Sequence, residues 1–214
     1  KKSKIKNKSI FLNNKNILNL KDINLKGEHN LENILAVLKV AELLKIDLKI
    51  DIKEVSEFQG LPHRLMEIGE YKGLRFIDDA ISTTPESTIA AIDAFSEEIG
   101  AIILGGKDRG FDYKLLAEKI VERKIGCIVL FPETGAKIKE EILKQVQDEG
   151  VAVQGDNKIK FFETESMDEA VKFCYEEAKK NSIVMLSCAS PSYSIFKNFE
   201  DKGNQFIEAV KKYS

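Results

Sequence analysis

What this sequence lacks narrows it first. Its three cysteines, Cys127, Cys174 and Cys188, stand far apart with no C-x-x-C pair, and an odd number argues against a disulfide framework. That usage fits a reducing compartment, so a cytoplasmic protein is expected. Two histidines and three scattered cysteines give no cluster with metal-ligand spacing. No stretch approaches the ~20 apolar residues of a membrane helix. The lysine-rich start has no apolar segment behind it, so no signal peptide is expected. An excess of one charge is missing too: 33 basic residues face 35 acidic ones, net −2, and the lysines are spread along the chain. Neither a nucleic-acid surface nor a membrane surface follows from that balance. There is no G-x-G-x-x-G for a dinucleotide, no G-K-S/T for a triphosphate, and no Ser/His/Asp set in the context of a nucleophilic enzyme.

What is present is a chain of 214 residues, 43% of them hydrophobic, enough for one large domain or for one domain and a piece of another. It opens at Lys1 without Met, in what already reads as a strand, as a fragment would. Residues 4–20 read as strands Ile5–Leu12 and Asn16–Leu20, turned at Asn13 and Asn14. A helix follows Gly27, with Leu31, Ile34, Leu35, Leu38 and Ala41 on one face, Val37 and Val40 broadening it, and Asn30 as its cap. A second short helix covers Asp51–Phe58. Two strands and two helices bury little, so residues 1–58 are expected to need a partner.

Gly60-Leu61-Pro62 marks a boundary. Beyond it, short apolar runs alternate with helical patterns. The runs Leu65–Tyr71, Leu74–Asp78, Ala101–Leu104, Cys127–Phe131, Ile159–Phe162 and Ile183–Leu186 read as strands. Pro85–Phe95, Tyr113–Arg123, Gly135–Gln147, Met167–Lys180 and Lys197–Tyr213 read as helices, with Pro85 at a first helical position. Uninterrupted runs such as Ala101–Leu104 suit strands buried on both faces. Residues 60–214 are therefore expected to form a doubly wound, mostly parallel, Rossmann-like α/β domain.

Ligands in such folds sit beyond the carboxyl ends of the strands. That rule selects the loops Asp78–Thr84, Gly105–Asp112, Pro132–Gly135 and Ser187–Ser194. In Gly105-Gly106-Lys107-Asp108-Arg109-Gly110 the glycines permit close backbone approach, and Lys107 and Arg109 suit a carboxylate or phosphate. In Asp78–Pro85, hydroxyls before a helix start either cap it or bind an anion. Ser187–Ser194 is a run of small polar residues that lets a ligand come close. Arg64 suits a phosphate, while a lone His63 is more often a structural hydrogen-bonding residue.

Singly these motifs are weak, but their order is specific. The series Gly27-x-His29-Asn30-x-x-Asn33, Gly60-Leu61-Pro62-His63-Arg64, Asp78-Asp79, Leu104-Gly105-Gly106 and Phe196-Lys197-Asn198-Phe199-Glu200 resembles the Mur ligases. Gly60–Arg64 and Phe196–Glu200 are most similar to the members that add D-glutamate. The resemblance covers the whole chain. It implies that residues 1–58 are the carboxyl-terminal remnant of a central ATP-binding domain and residues 60–214 the domain that binds the incoming amino acid. It implies an ATP-dependent amide ligase of peptidoglycan synthesis, acting on UDP-N-acetylmuramoyl-L-alanine through an acyl phosphate. ATP and Mg²⁺ would serve the full-length enzyme, whose P-loop and metal ligands are absent from this sequence, so the chain alone is expected to be inactive and to hold no catalytic or metal-ligating residue. Asn30 and Asn33 would lie near adenine, and Arg64 and Asp79 would contact ATP. Thr83, Arg109, Ser192, Tyr193 and Phe199 would surround D-glutamate. Two departures stand out: Ile81 replaces a lysine of the commoner family string, and Arg109 stands where lysine is common. A ligase for another amino acid, and a non-catalytic α/β binding domain, are the alternatives.

Overall fold

Two hydrophobic patterns build two units. The computed structural model describes residues 3–12, 15–46, 48–95, 98–148, 159–193 and 195–214. One compact unit comprises Lys1–Leu61 with Asp93–Phe95, and the other comprises Pro62–Ile92 with Ser96–Ser214.

The first unit holds a three-stranded antiparallel sheet of β1 (Ser3–Lys6), β2 (Ser9–Leu12) and β3 (Lys15–Asn19). The expected strand Ile5–Leu12 is thus two strands. Lys6 pairs with Ser9 across a two-residue turn in which Asn7 and Lys8 take φ of 50° and 55°. Positive φ at both central residues matches the twist of a hairpin. Asparagine tolerates it readily but lysine seldom does, which hid the turn. The expected turn at Asn13 and Asn14 lies outside the described residues.

Helices α1 (His29–Leu44) and α2 (Leu48–Glu57) follow. Leu31, Ile34, Leu38 and Ala41 form the buried stripe of α1, and with Ile10, Leu12, Leu18 and Ile23 they make a small core. Val37 and Val40 do not broaden that stripe. They are 56% and 55% exposed, and Leu43 and Leu44 are exposed with them. At ~100° per residue, Val40 stands a quarter-turn or more away from Ala41. Nor does Asn30 cap the helix: it lies in the first turn, and its side-chain amide donates to Lys26 O at 2.6 Å.

The second unit is a six-stranded sheet in the order β4-β5-β9-β6-β7-β8, built from β4 (Met66–Tyr71), β5 (Leu74–Asp78), β6 (Ile99–Gly105), β7 (Cys127–Phe131), β8 (Lys160–Glu163) and β9 (Ser182–Leu186). Only β4, at one edge, is antiparallel. Every residue of β6, β7 and β9 is buried, because helices cover both faces. The helices are α3 (Pro85–Asp93), α4 (Lys114–Glu122), α5 (Gly135–Asp148), α6 (Met167–Glu177) and α7 (Phe199–Tyr213). Cys127 and Cys174 belong to the core, with Phe76, Phe131 and Phe206 among their neighbours in it. No helix among the described residues is long and apolar enough to cross a membrane.

The chain runs β5 to β6 to β7 to β8, and β9 then returns to lie between β5 and β6. This reversal is the switch point of the sheet, and it brings the loops after β5, β6 and β9 side by side.

Candidate functional site

Backbone hydrogen bonds tie these three loops together. Asp79 N donates to Leu186 O at 2.8 Å, Gly105 N to Cys188 O at 2.9 Å, and Lys107 N to Pro191 O at 2.8 Å. The approach is close enough to require glycine. A Cβ on Gly106, whose φ is 150°, would stand 2.3 Å from Pro191 O, and one on Gly105, φ 102°, would stand 2.3 Å from Phe131 O. Ala189 holds φ at 56° in the same region, a strained value for a residue with a side chain.

A buried polar network lies under the loops. Asp79 Oδ2 accepts from Ser187 Oγ at 2.8 Å, and Ser187 Oγ and Thr88 Oγ1 are 3.0 Å apart. Asp79 Oδ1 accepts from Leu65 N at 3.3 Å. Burial pushes the Asp79 carboxyl up to about 6, and the hydrogen bonds from Ser82, Ser187 and Leu65 only partly oppose that. Beside it, His63 Nδ1 donates to Asp78 Oδ2 at 2.7 Å, both residues buried. Helix α7 closes on this pair: a Cβ on Gly203 would stand 2.1 Å from His63 Nδ1 and 2.9 Å from Asp78 Oδ2. Phe199, at the start of α7, meets the His63 ring edge-on at 6.2 Å.

These bonds fix the backbone around Arg64. His63 and Leu65 take φ of 60° and 47°, and Ile81 N donates to His63 O at 3.2 Å. Positive φ on both sides of Arg64 persists only where surrounding contacts over-determine it. Arg64 itself is exposed with no partner among the described residues.

On the other side of the switch point a hydroxyl chain braces the β6 and β9 loops. Tyr113 Oη and Ser190 Oγ are 2.9 Å apart, Ser190 Oγ and Thr134 Oγ1 are 2.8 Å apart, and Thr134 donates to Gly106 O at 3.2 Å. Sequence reasoning singled out none of these three hydroxyls. Two of them lie in loops that the strand-end rule selects, but their partners are 77 and 56 residues away.

The residues expected from the sequence fall into two groups. Some are engaged within the protein. Thr84 caps α3, its Oγ1 accepting from Ser87 N at 3.3 Å. Lys107 pairs with Glu133 at 3.0 Å and so is not a free cation. Others have no polar partner among the described residues: the half-buried Thr83, the exposed Arg109 and Tyr193, and Ser192, whose Oγ is buried and unsatisfied. Lys202 Nζ, on α7, is the other buried polar side-chain atom without a hydrogen-bond partner among those residues. Its charge opposes the upward push that burial puts on the Cys188 thiol. Asn30 and Asn33 belong to the first unit, on the opening turns of α1, with Asn33 Nδ2 donating to Asn30 Oδ1 at 3.2 Å. No group of three His, Cys, Asp or Glu side chains among the described residues could hold a metal ion.

Buried, unsatisfied donors are rare in native proteins and call for a partner. Thr83, Arg109 and Ser192 sit on the loops after three neighbouring strands, β5, β6 and β9, and offer two hydroxyls and a guanidinium.

Comparison with known proteins gives the family. The profile described as "Mur ligase, glutamate ligase domain" matches residues 63–189. The UDP-N-acetylmuramoylalanine–D-glutamate ligase of Caldanaerobacter subterraneus subsp. tengcongensis is 35% identical over 206 residues, which is 96% of this chain and 43% of that protein. The UDP-N-acetylmuramoyl-L-alanine–L-glutamate ligase of Salinispora tropica is 35% identical over 191 residues, 87% of this chain and 40% of that one. This chain thus spans about two fifths of the length of such relatives. Among solved structures, the UDP-N-acetylmuramate-alanine ligase of Thermotoga maritima superposes with a TM-score of 0.63 at 17% identity, over 90% of this chain and 40% of that one. A MurF ligase of the same organism, in complex with ADP, gives 0.56 at 21% identity, over 89% of this chain and 40% of that one. At such identities these two show the fold alone.

Proposed function

This chain belongs to the Mur ligase family, and we propose that it is the carboxyl-terminal part of an ATP-dependent amide ligase that adds D-glutamate to UDP-N-acetylmuramoyl-L-alanine in peptidoglycan synthesis. The observation that carries the amino-acid site is the unsatisfied donor set. Thr83, Arg109 and Ser192 have no polar side-chain partner among the described residues, whereas Thr84, Lys107, Ser187 and Ser190 of the same loops are engaged. In this reading Arg109 pairs with one carboxylate of glutamate, bidentately where the geometry allows. Thr83 and Ser192 donate to the other polar groups, and Tyr193 and Phe199 line the pocket.

The chemistry needs positioning more than bond-making side chains. ATP transfers its γ-phosphoryl group to the muramoyl-alanine carboxylate. The glutamate amine attacks that acyl phosphate, loses a proton, and the tetrahedral intermediate expels inorganic phosphate to leave the amide. This chain contributes the grip on glutamate, holding its amine in line. Arg64, exposed and without a partner among the described residues, supplies charge for the phosphates of ATP. Asp79, which the resemblance places in contact with ATP, is 2% exposed with both carboxyl oxygens engaged, and in this reading it serves by fixing the Arg64 peptide through Leu65 N. Asn30 and Asn33 lie near adenine. The first unit is then the end of the central ATP-binding domain, a reading supported by the exposed apolar side chains Val37, Val40, Leu43 and Leu44 on α1.

A second reading, addition of L-glutamate, is favoured by the Salinispora tropica relative, which is as similar as the first. Calorimetric titration with D-glutamate, L-glutamate, D-aspartate and ATP separates the two. Selective D-glutamate binding that Arg109→Ala weakens by about 10- to 100-fold, the range for one charged hydrogen-bonded pair, supports the proposal. Preference for L-glutamate replaces it with the second reading. Binding of glutamate unaffected by Arg109→Ala refutes the site.

A further inference from the structure

The loop that carries Arg109 is held by an acidic residue outside the donor set. Glu133 lies in the loop between β7 and α5. Its Oε1 pairs with Lys107 Nζ at 3.0 Å, and its Oε2 accepts from Asp108 N at 3.1 Å. One carboxylate therefore grips both a side chain and the backbone of the loop. A second pin comes from Lys137 in the first turn of α5, which pairs with Asp108 Oδ2, while Asp108 Oδ1 accepts from Gly110 N at 2.8 Å. Lys107 and Asp108, just before Arg109, are thus fastened to one segment, Glu133–Lys137, and Gly110, just after it, is tied to Asp108. The lysine bond holds the Glu133 carboxyl below the usual range first, and the Asp108 N–H adds to it. The Lys137 bond does the same for Asp108. Both acids are ionised at neutral pH. Two cations and two anions pair off, and the Arg109 charge is left over.

We propose that Glu133 is a positioning and specificity residue of the amino-acid site: by holding Lys107 and Asp108 it leaves Arg109 as the single unpaired cation of the loop, at a fixed place, so that the loop receives one carboxylate and not a phosphate. This rests on the reading of Arg109 as the carboxylate partner. A single guanidinium suits the singly charged carboxylate of an amino acid. Two unpaired cations on one glycine-rich loop suit a phosphate, which the reaction presents both in ATP and as product. The segment that silences Lys107 therefore separates the amino-acid subsite from its polyanionic neighbours. The pairs are about half exposed, so their grip weakens with salt.

The test is steady-state kinetics of the full-length ligase that carries this segment, with inorganic phosphate as a competitor. Glu133→Gln raises the glutamate KM by roughly three- to tenfold, as loss of a partly exposed clamp predicts, with kcat and the ATP KM changed by less than about twofold. Phosphate becomes competitive with glutamate in that variant. Lys107→Gln combined with Glu133→Gln removes the phosphate competition but keeps the raised KM, since the surplus charge goes and the clamp stays broken. The reciprocal exchange Lys107→Glu with Glu133→Lys recovers part of the KM. If Glu133→Gln leaves the glutamate KM unchanged while Arg109→Ala raises it at least about tenfold, the clamp is refuted and the site reading stands. If Arg109→Ala leaves that KM unchanged, both fall. A joint loss of kcat and of both KM values in Glu133→Gln marks general structural damage and refutes the positioning role.

Discussion

Asp79→Asn is a substitution whose effect on stability should change with pH, in the direction opposite to ordinary acid denaturation. The wild-type carboxyl is 2% exposed, and burial raises it from 3.8 to about 6. Between those values the unfolded chain has released the proton while the folded protein keeps it. The folded state then binds more protons, so this group's contribution is present below about pH 4 and lost as pH rises to about 6. At ~1.36 kcal/mol per unit, the cost of ionising Asp79 in the folded protein reaches about 3 kcal/mol at neutral pH. Asparagine keeps the shape and the acceptor for Leu65 N. Its amide can donate to Ser187 Oγ if that hydroxyl turns its own proton to Thr88 Oγ1, already 3.0 Å away. The variant therefore matches wild type near pH 4 and exceeds it by about 3 kcal/mol near pH 8. Half-buried acids shifted the other way, such as Asp168 and Asp201, are common to both proteins and cancel in the difference. Urea unfolding followed by tyrosine fluorescence reads this out, because all five tyrosines lie in residues 71–213 and the chain has no tryptophan. A stability difference that is constant from pH 4 to 8, or that turns against the variant as pH rises, would refute the reasoning.

Gly203→Ala drives a methyl group into His63 and Asp78, so it should destabilise the second unit by about 1–3 kcal/mol, measured by the same unfolding assay, and shift the His63 ring resonances in an NMR spectrum. An unchanged midpoint with unchanged His63 signals would mean that α7 does not close on the pair. Ser190→Ala strips the shared partner from Tyr113 and Thr134 and should cost about 1–3 kcal/mol. Amide hydrogen exchange at Gly106 and Lys107 should quicken with it; unaltered protection there would show that the hydroxyl chain does not brace the loop.

The sheet was legible because its strands are buried on both faces. Cys127–Phe131 can be bounded to the residue from sequence, since an uninterrupted apolar run has no other place in an α/β layer; Leu74–Asp78 is bounded as well, although the half-buried Arg75 interrupts its apolar run. Element ends were less legible. The Met167 helix stops at Glu177 and not at Lys180, because Ala178 turns extended and Asn181 takes φ of 60° on the way into β9. The last helix begins at Phe199, where Asn198 Oδ1 accepts from Asp201 N at 2.7 Å. In the first unit, Lys8 gave no turn signal, and Val37 and Val40 carried the periodicity of a core face without joining one. The strand-end rule found the loops of the candidate site, but it could not sort their residues. Whether Lys107 is a free cation depends on Glu133, 26 positions on, and whether Ser190 is spare depends on Tyr113, 77 positions back. Sequence spacing does not encode those meetings: the pairing of β6 with β7 brings Glu133 to Lys107, and the return of β9 beside β6 brings Ser190 to Tyr113.

The place of β9 also sets an order of assembly. Strands β5 and β6 share no ladder; each is bonded to β9, which spans Ser182–Leu186. Until that strand is in place the sheet exists as two pieces, β4 with β5 and β6 with β7 and β8. A chain emerging from the ribosome must therefore wait for Ser182–Leu186 before the middle of this sheet can close, and such distant pairing slows folding and leaves apolar edges open meanwhile. The loops after β5 and β6 meet through the same late strand, so a truncation before Ser182 yields two unsealed half-sheets and no binding edge at all.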